Sequence, residues 1–151
     1  MKLIPLTKGK VALVDDTDAA RVDGQNWHAV VKSGIWYAAA RINYKIVYMH
    51  RWLMRAPNDM EVDHIDDDGL NNTRRNLRIC TSVQNKARRK RINTSSGFRG
   101  VQAHQGHWRT VITVQGKRIY VGFFTDKMDA ARAYDAAAIK HYGEFARLNF
   151  P

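Results

Sequence analysis

Thiols are almost absent from this chain: Cys80 is the one cysteine in 151 residues. A single thiol excludes an internal disulfide and a zinc site built on paired thiolates, and it suits a reducing compartment. Cys80 itself reads as a small buried hydrophobe. Long apolar runs are missing too, none nearing the ~20 residues that cross a bilayer. The opening "MKLIPLTKGK" turns polar too soon for a signal peptide. The expectation is a soluble, cytoplasmic protein with no membrane partner. Acidic residues are scarce in one half only. Residues 1 to 80 hold 12 Lys+Arg against 10 Asp+Glu, a net +2, whereas residues 81 to 151 hold 13 against 4, a net +9. A half so basic points to a polyanionic partner, nucleic acid first among them; a merely solvated basic surface is the plainer alternative.

What is present is a globular composition. With 44% hydrophobic and 26% charged residues, the chain can build cores, and its length allows one ordinary domain or two small ones. From residue 1 to about 50 the runs "KVALV", "WHAVV", "IWYAAARI" and "KIVYM", broken at Asp23-Gly24 and Ser33-Gly34, read as a small β meander. "HRWLMRA" reads as a short helix ended before Pro57. "MEVDHI" and "NLRIC" read as strands around "DDDGLNNTRR", an insert longer than a hairpin needs and so a candidate functional loop. Thr81 and Gln84 have capping-box spacing at the start of the helix "SVQNKARRKRI", which fades at "NTSSG", the expected linker.

Three further strands follow, "FRGVQA", "HWRTVITV" and "KRIYVGFF", and then the helix "DKMDAARAYDAAAIKHYG", closed by Gly143. In the middle strand Trp108, Thr110, Ile112 and Val114 share one face, because side chains alternate. That face is expected to meet the helix, which Ala130, Ala131, Ala133, Ala136, Ala137 and Ala138 let lie close and Tyr134 anchors. The other face is expected to be bare and basic.

Asp63 and His64 adjoin on a strand, so their side chains take opposite faces unless the strand end is irregular. Asn85 falls one turn into the following helix and reaches Asp63 if helix and hairpin pack together. Carboxylate and amide oxygens are hard donors, suited to Mg²⁺, Mn²⁺ or Ca²⁺ rather than Zn²⁺. An imidazole with an ordinary pKa of about 6.5 is available near neutrality to take a proton from water. Singly each residue has an ordinary explanation: Asp63 a surface carboxylate, His64 a satisfied hairpin histidine, Asn76 a loop cap, Asn85 an exposed helix residue.

Jointly, the Asp-His pair, the "GLNN…NLR" loop and the Thr-x-x-x-Asn helix start resemble the HNH motif of phage and intron-type homing endonucleases. The resemblance implies a ββα-metal core at about residues 48–91 within a nuclease domain 1–92. In it His64 is the general base, Asp63 and Asn85 hold one divalent metal ion, Mg²⁺ or Mn²⁺, and Asn76 braces the loop that orients His64. The activity implied is phosphodiester hydrolysis in double-stranded DNA by a monomer, in a phage-infected bacterial cell or at the bacterial nucleoid. Asp67 stands where the family often carries Gly, so a turn of positive φ there has to use Asp. His50 belongs to a His-Arg pair that recurs upstream of the motif in such proteins, and reads as packing or support.

"FRGV", a Trp-containing strand, "GFF", "AARAYDAAA" and "LNFP" resemble the plant ethylene-response-factor (APETALA-type) DNA-binding domain, over residues 97 to 151. The implied organisation is a linker at 93–97 and a DNA-binding domain at 98–151 whose exposed sheet face enters the major groove. Arg99, Gln102, His104, Arg109, Thr113, Arg118 and Tyr120 become contact candidates. Gln102 and Tyr120 stand where the plant domains commonly carry Arg and Trp, so the base preference need not transfer. In "KARRKR", Arg88, Arg89 and Arg91 read either as a solvated helix end beside the C-terminal dipole or as a strip crossing the phosphate backbone. The whole reads as an α+β chain with a β-rich N-terminal segment, a ββα-metal nuclease core and a three-stranded antiparallel sheet packed on one helix. The rival reading is a sequence-specific DNA-binding protein or transcriptional regulator with a degenerate nuclease motif.

Overall fold

The computed structural model describes residues 1–87 and 95–151; Arg88, Arg89 and Arg91 lie outside them. The chain forms two compact units that divide between Thr81 and Ser82, ahead of the linker expected at 93–97. Helices and antiparallel sheets are mixed throughout, as the α+β reading expects. No helix among the described residues is long and apolar enough to cross a membrane.

The first unit holds three small sheets. Strands β1 (Lys2–Pro5) and β2 (Val11–Val14) pair as a hairpin, separately from the meander of β3 (His28–Lys32), β4 (Ile35–Ile42) and β5 (Lys45–Tyr48). The single meander expected from the sequence is therefore two sheets. Strand β1 escaped notice because it has four residues of which only Ile4 is buried, too short a run to show a period. A short helix, α1 (Ala19–Val22), and a second, α2 (Met49–Met54), complete the core with β6 (Glu61–His64) and β7 (Leu77–Cys80). Ile4, Ala12, Val14, Val22, Trp27, Ala38, Ala40, Met49 and Leu53 close the main core. Helix α2 packs on β4, β5 and both strands of the β6–β7 hairpin. It ends at Arg55, in the left-handed region at φ 49°. Arg51 then ties down the connection, donating to the carbonyls of Met60 (2.7 Å) and Pro57 (2.8 Å). Cys80 is fully buried, as a lone cysteine should be.

The second unit begins with α3 (Ser82–Ala87), which meets the 3-10 turn Gly143–Phe145. Strands β8 (Val101–His104), β9 (His107–Val114) and β10 (Lys117–Phe124) form an antiparallel sheet in the order β10-β9-β8, packed on α4 (Lys127–Tyr142). The expected parity holds. Trp108, Ile112 and Val114 join the helix-side cores, and the Thr110 hydroxyl donates to the Ala130 carbonyl at 3.0 Å. Ala130, Ala131 and Ala138 are buried, but Ala136 faces solvent, because at 100° per residue it falls on the far side of the helix. Gly100, at φ 72°, lies so close to α4 that a Cβ would sit 2.1 Å from the Tyr134 ring. The terminal "LNFP" is a clamp: the Asp135 carboxylate accepts from the amides of Asn149 (2.7 Å) and Phe150 (3.0 Å), and the Asn149 side chain accepts from Arg99 N (2.7 Å). Ser96 is buried and donates to the Val101 carbonyl at 2.8 Å, so the folded part of this unit includes it.

Candidate functional site

In the first unit the β6–β7 register runs unbroken, Asp63 opposite Arg78 and His64 opposite Leu77. No irregular strand end brings Asp63 and His64 to one face. Asp63 is buried; its Oδ2 accepts from Arg78 Nε at 2.9 Å and lies 2.9 Å from Nη2 in the same ion pair. His64 turns instead into a cluster of rings. Its imidazole lies 5.0 Å from that of His50, edge-on, and 5.9 Å from the Tyr37 ring, while His50 stacks on Tyr48 at 5.4 Å. Burial holds His64 below its ordinary pKa, against the opposing pull of Asn72, Asp66, Asp63 and Asp68. Burial, then His64, Arg51 and Lys32, push His50 down to about 3. Two imidazoles are thus packed together with the neutral form favoured in both.

The loop from Ile65 to Asn76 is fastened from within and from without. Asn76 is buried; its Oδ1 accepts from Asp66 N (3.0 Å), and its Nδ2 donates to Asp66 Oδ1 and to the Asn71 carbonyl, both at 2.8 Å. Asp66 also accepts from Asp68 N (2.8 Å) and Asn71 Nδ2 (2.7 Å). Outside the loop, Leu13 accepts from Asn72 N (2.7 Å) and donates to the Leu70 carbonyl (2.9 Å). Arg74 grips the buried Asp18 with two bonds, 2.7 and 2.8 Å, and Arg21 adds a third at 2.9 Å. The Arg74 hydrogen bond, outweighing burial, and that of Arg21 hold the Asp18 carboxyl below the usual range. Asp67 does take the positive φ, 65°, with its amide donating to the His64 carbonyl at 3.0 Å. Gly69 lies against β4, where a Cβ would be 2.4 Å from the Trp36 carbonyl oxygen and 2.5 Å from the Tyr37 ring.

Asp66, Tyr37, Gly69 and the Asp18–Arg74 pair are the members of this arrangement that sequence reasoning did not single out. Asp66 and Gly69 stood inside the quoted motif; Tyr37 and Asp18 lie in distant elements, with no local signal. Asn85 is half-buried on α3 and belongs to the second unit, whereas Asp63 belongs to the first. Among the described residues no group of three His, Cys, Asp or Glu side chains is placed to hold a metal ion.

The second unit presents the other half of the expected residues. Cross-strand pairing puts Gln102, Arg109 and Phe123 in one row, Val111 and Tyr120 in the next, and Thr113 and Arg118 in a third, on the face away from α4. Arg109 Nη2 donates to Gln102 Oε1 at 2.9 Å, and the His104 ring stacks on Phe123 at 5.4 Å. Six of the seven candidates therefore share this face. Arg99 stands apart, half-buried, its guanidinium beside the Tyr134 phenol on the helix side. Phe123 was missed. A bulge between Tyr120 and Gly122 inserts Val121, which packs inward, and so resets the alternation, turning Phe123 out and Phe124 in. Gly122 inside the strand was the available signal.

No protein-family model matches the chain. It is similar, at 27% identity over 132 residues, to an uncharacterised HNH endonuclease of Acanthamoeba polyphaga mimivirus, a match covering 80% of this chain and 69% of the relative. It is also similar to an AP2-like ethylene-responsive transcription factor of Arabidopsis thaliana, 30% identical over 107 residues, with 58% of this chain and 35% of the relative covered. APETALA2-like protein 2 of Oryza sativa subsp. indica is 44% identical over 70 residues, covering 45% of this chain and 16% of its own. The chain spans about a third or less of these plant proteins.

Proposed function

We propose that the protein is an HNH-type endonuclease that hydrolyses phosphodiester bonds in double-stranded DNA at sites addressed by the sheet face of the second unit. The observation that carries this reading is the buried, neutral-favoured His64 at the mouth of a loop knitted together by Asn76 and Asp66. Similarity to the mimiviral HNH endonuclease supports the nuclease half, and similarity to AP2-like transcription factors supports the DNA-binding half. A neutral imidazole is the form that accepts a proton from water, so His64 acts as general base. Asn76 positions the loop that follows it. By donor chemistry the Asp63 carboxylate and the Asn85 amide oxygen are each hard oxygen ligands of the kind that Mg²⁺ or Mn²⁺ takes, and Asp63 Oδ2 also serves Arg78. Such an ion, when bound, stabilises negative charge on the phosphoryl and departing 3′ oxygens.

One observation favours a second reading. Asp63 is already paired with the Arg78 guanidinium, as befits a DNA-binding protein whose nuclease motif no longer cuts. Nicking of supercoiled plasmid by the full chain, with and without Mg²⁺ or Mn²⁺, decides between them. A nuclease should nick only with metal, and His64→Ala should slow nicking by about 10²- to 10⁴-fold while gel-shift binding persists. Duplex binding with no nicking in either metal establishes the second reading instead.

A further inference from the structure

We propose that the centre of the second unit's sheet face reads the 5-methyl groups of pyrimidines in the major groove, an inference that rests on the DNA-binding half of the function proposed above. Tyr120 and Phe123, 55% and 51% exposed, touch each other at 5.4 Å and form, with Val111, an apolar strip on that face. Rings left half in water forgo part of the gain of burial, and a contiguous apolar patch with a polar rim marks an interaction surface. The rim here is cationic, with Arg118 beside Tyr120 and Arg109 beside Phe123, in the half of the sequence that carries +9. Charge of that sign selects a polyanion. A duplex major groove has phosphate walls and, on its floor, the thymine methyl as its apolar group, with the 5-methyl of a modified cytosine in the equivalent place. An apolar strip edged by arginines matches that order across the groove.

Two details favour methyl contact over stacking on unpaired bases. Phe123 has one face covered by His104, stacked at an interplanar angle of 24°, and Tyr120 tilts against the ring at 57°, which leaves less room for a base to stack on it than for a methyl group to touch it. Arg109, in register with Phe123, is held by Gln102, which fixes a guanidinium next to the ring instead of leaving it to swing. Ring and fixed donor side by side suit a base-pair edge carrying both a methyl and an acceptor.

The test titrates the full chain, in EDTA so that no strand is cut, against alternating (dA-dT) and (dA-dU) duplexes and against alternating (dG-dC) and (dG-5-methyl-dC) duplexes. The two pairs add the same methyl at the same groove position in different sequence backgrounds, which separates methyl contact from groove shape. The methylated member of each pair should bind about four-fold more tightly per methyl contacted, the weight of about 0.8 kcal/mol for one buried methyl group. Phe123→Ser and Tyr120→Ala should shrink that difference, whereas Arg118→Ala should weaken binding to all four duplexes and keep it. Equal affinities within both pairs, or a difference untouched in the Phe123→Ser, Tyr120→Ala double variant, overturns the inference. So does tighter binding to single strands than to duplexes, which would make the strip a stacking platform. Failure to bind any duplex is a separate outcome and removes the DNA-binding reading itself.

Discussion

The first unit buries most of its candidate site residues, and the second displays most of its own. Asp18, His50, Asp63, His64, Asn72, Thr73 and Asn76 are all buried in the first, nearly all inside a web of bonds around one loop. In the second, Gln102, Thr113, Arg118 and Tyr120 stand exposed on a sheet whose opposite side supplies the core. A group that moves protons has to be held in one place and kept from bulk water, which demands a braced, desolvated setting. A group that reads a groove has to reach a ligand whose bases and phosphates are wet and variable, which demands exposure on a stiff support. The difference in burial is the one that the proposed division between a nuclease unit and a DNA-reading unit requires.

The comparison breaks most severely at Asp18. Removing that carboxylate in Asp18→Ala strands Arg74 and Arg21 and frees the loop at one anchor, so the first unit should lose about 2–4 kcal/mol, while the unfolding of the second is unmoved. Tryptophan fluorescence can follow both, because Trp27, Trp36 and Trp52 lie in the first unit and Trp108 in the second. A matched loss in both transitions would show that the units do not melt separately. Acid should act in the same direction. The folded Asp18 carboxyl titrates below its ordinary value of 3.8, so its contribution is complete above that pH and is lost as pH falls through the lowered value.

His50 supplies a second, milder break at higher pH. Its folded pKa of about 3 lies below the ordinary imidazole value of 6.5, so the unfolded chain binds the extra proton between those two values. Stability of the first unit is full above about pH 6.5 and declines as pH falls toward 3, in part because His64 is depressed in the same direction. His50→Phe should flatten that decline while keeping the ring contacts. An unchanged slope in urea unfolding between pH 7 and 4.5 would remove His50 from the account. Gly69→Ala destabilises at every pH. Its φ is not positive, so the penalty is the clash with Trp36 and Tyr37 alone, about 1–3 kcal/mol in the first unit.

How much of this could be read in the sequence also differs between the units. Strands β9 and β10 occupy the residues expected of them, because β9 buries Thr110 and Ile112 on one face and each hairpin turn carries a glycine. The bulge at Val121 had Gly122 inside the strand as its one mark, and alternation carried on past it does not place Phe123 on the outer face. In the first unit the motif loop was visible from its Asp, Asn and Gly content, and so was the need for a positive φ at Asp67. Its anchors were not. Asp18 lies 56 residues from Arg74, and the burial that lowers His64 comes from a ring cluster assembled from β4, β5 and α2. Contacts of that range follow from tertiary packing rather than from any local period.

Arg118→Ala sharpens the comparison with the least disturbance. The side chain is exposed and pairs in register with Thr113 on the outer face, so its loss leaves both cores intact. If Arg118 lies on a phosphate, every duplex should weaken alike, and the slope of log K against log[salt] should shrink by about 0.9, the release of one counterion. If it reads a guanine edge, one sequence should lose about 1–3 kcal/mol relative to the rest with little change in slope. Its place at the rim of the apolar strip, rather than on the Phe123 row, favours the phosphate outcome. Salt titrations of the wild type and the variant on two unrelated duplexes separate the cases, and an unaltered affinity and slope on both would take Arg118 off the DNA-facing surface.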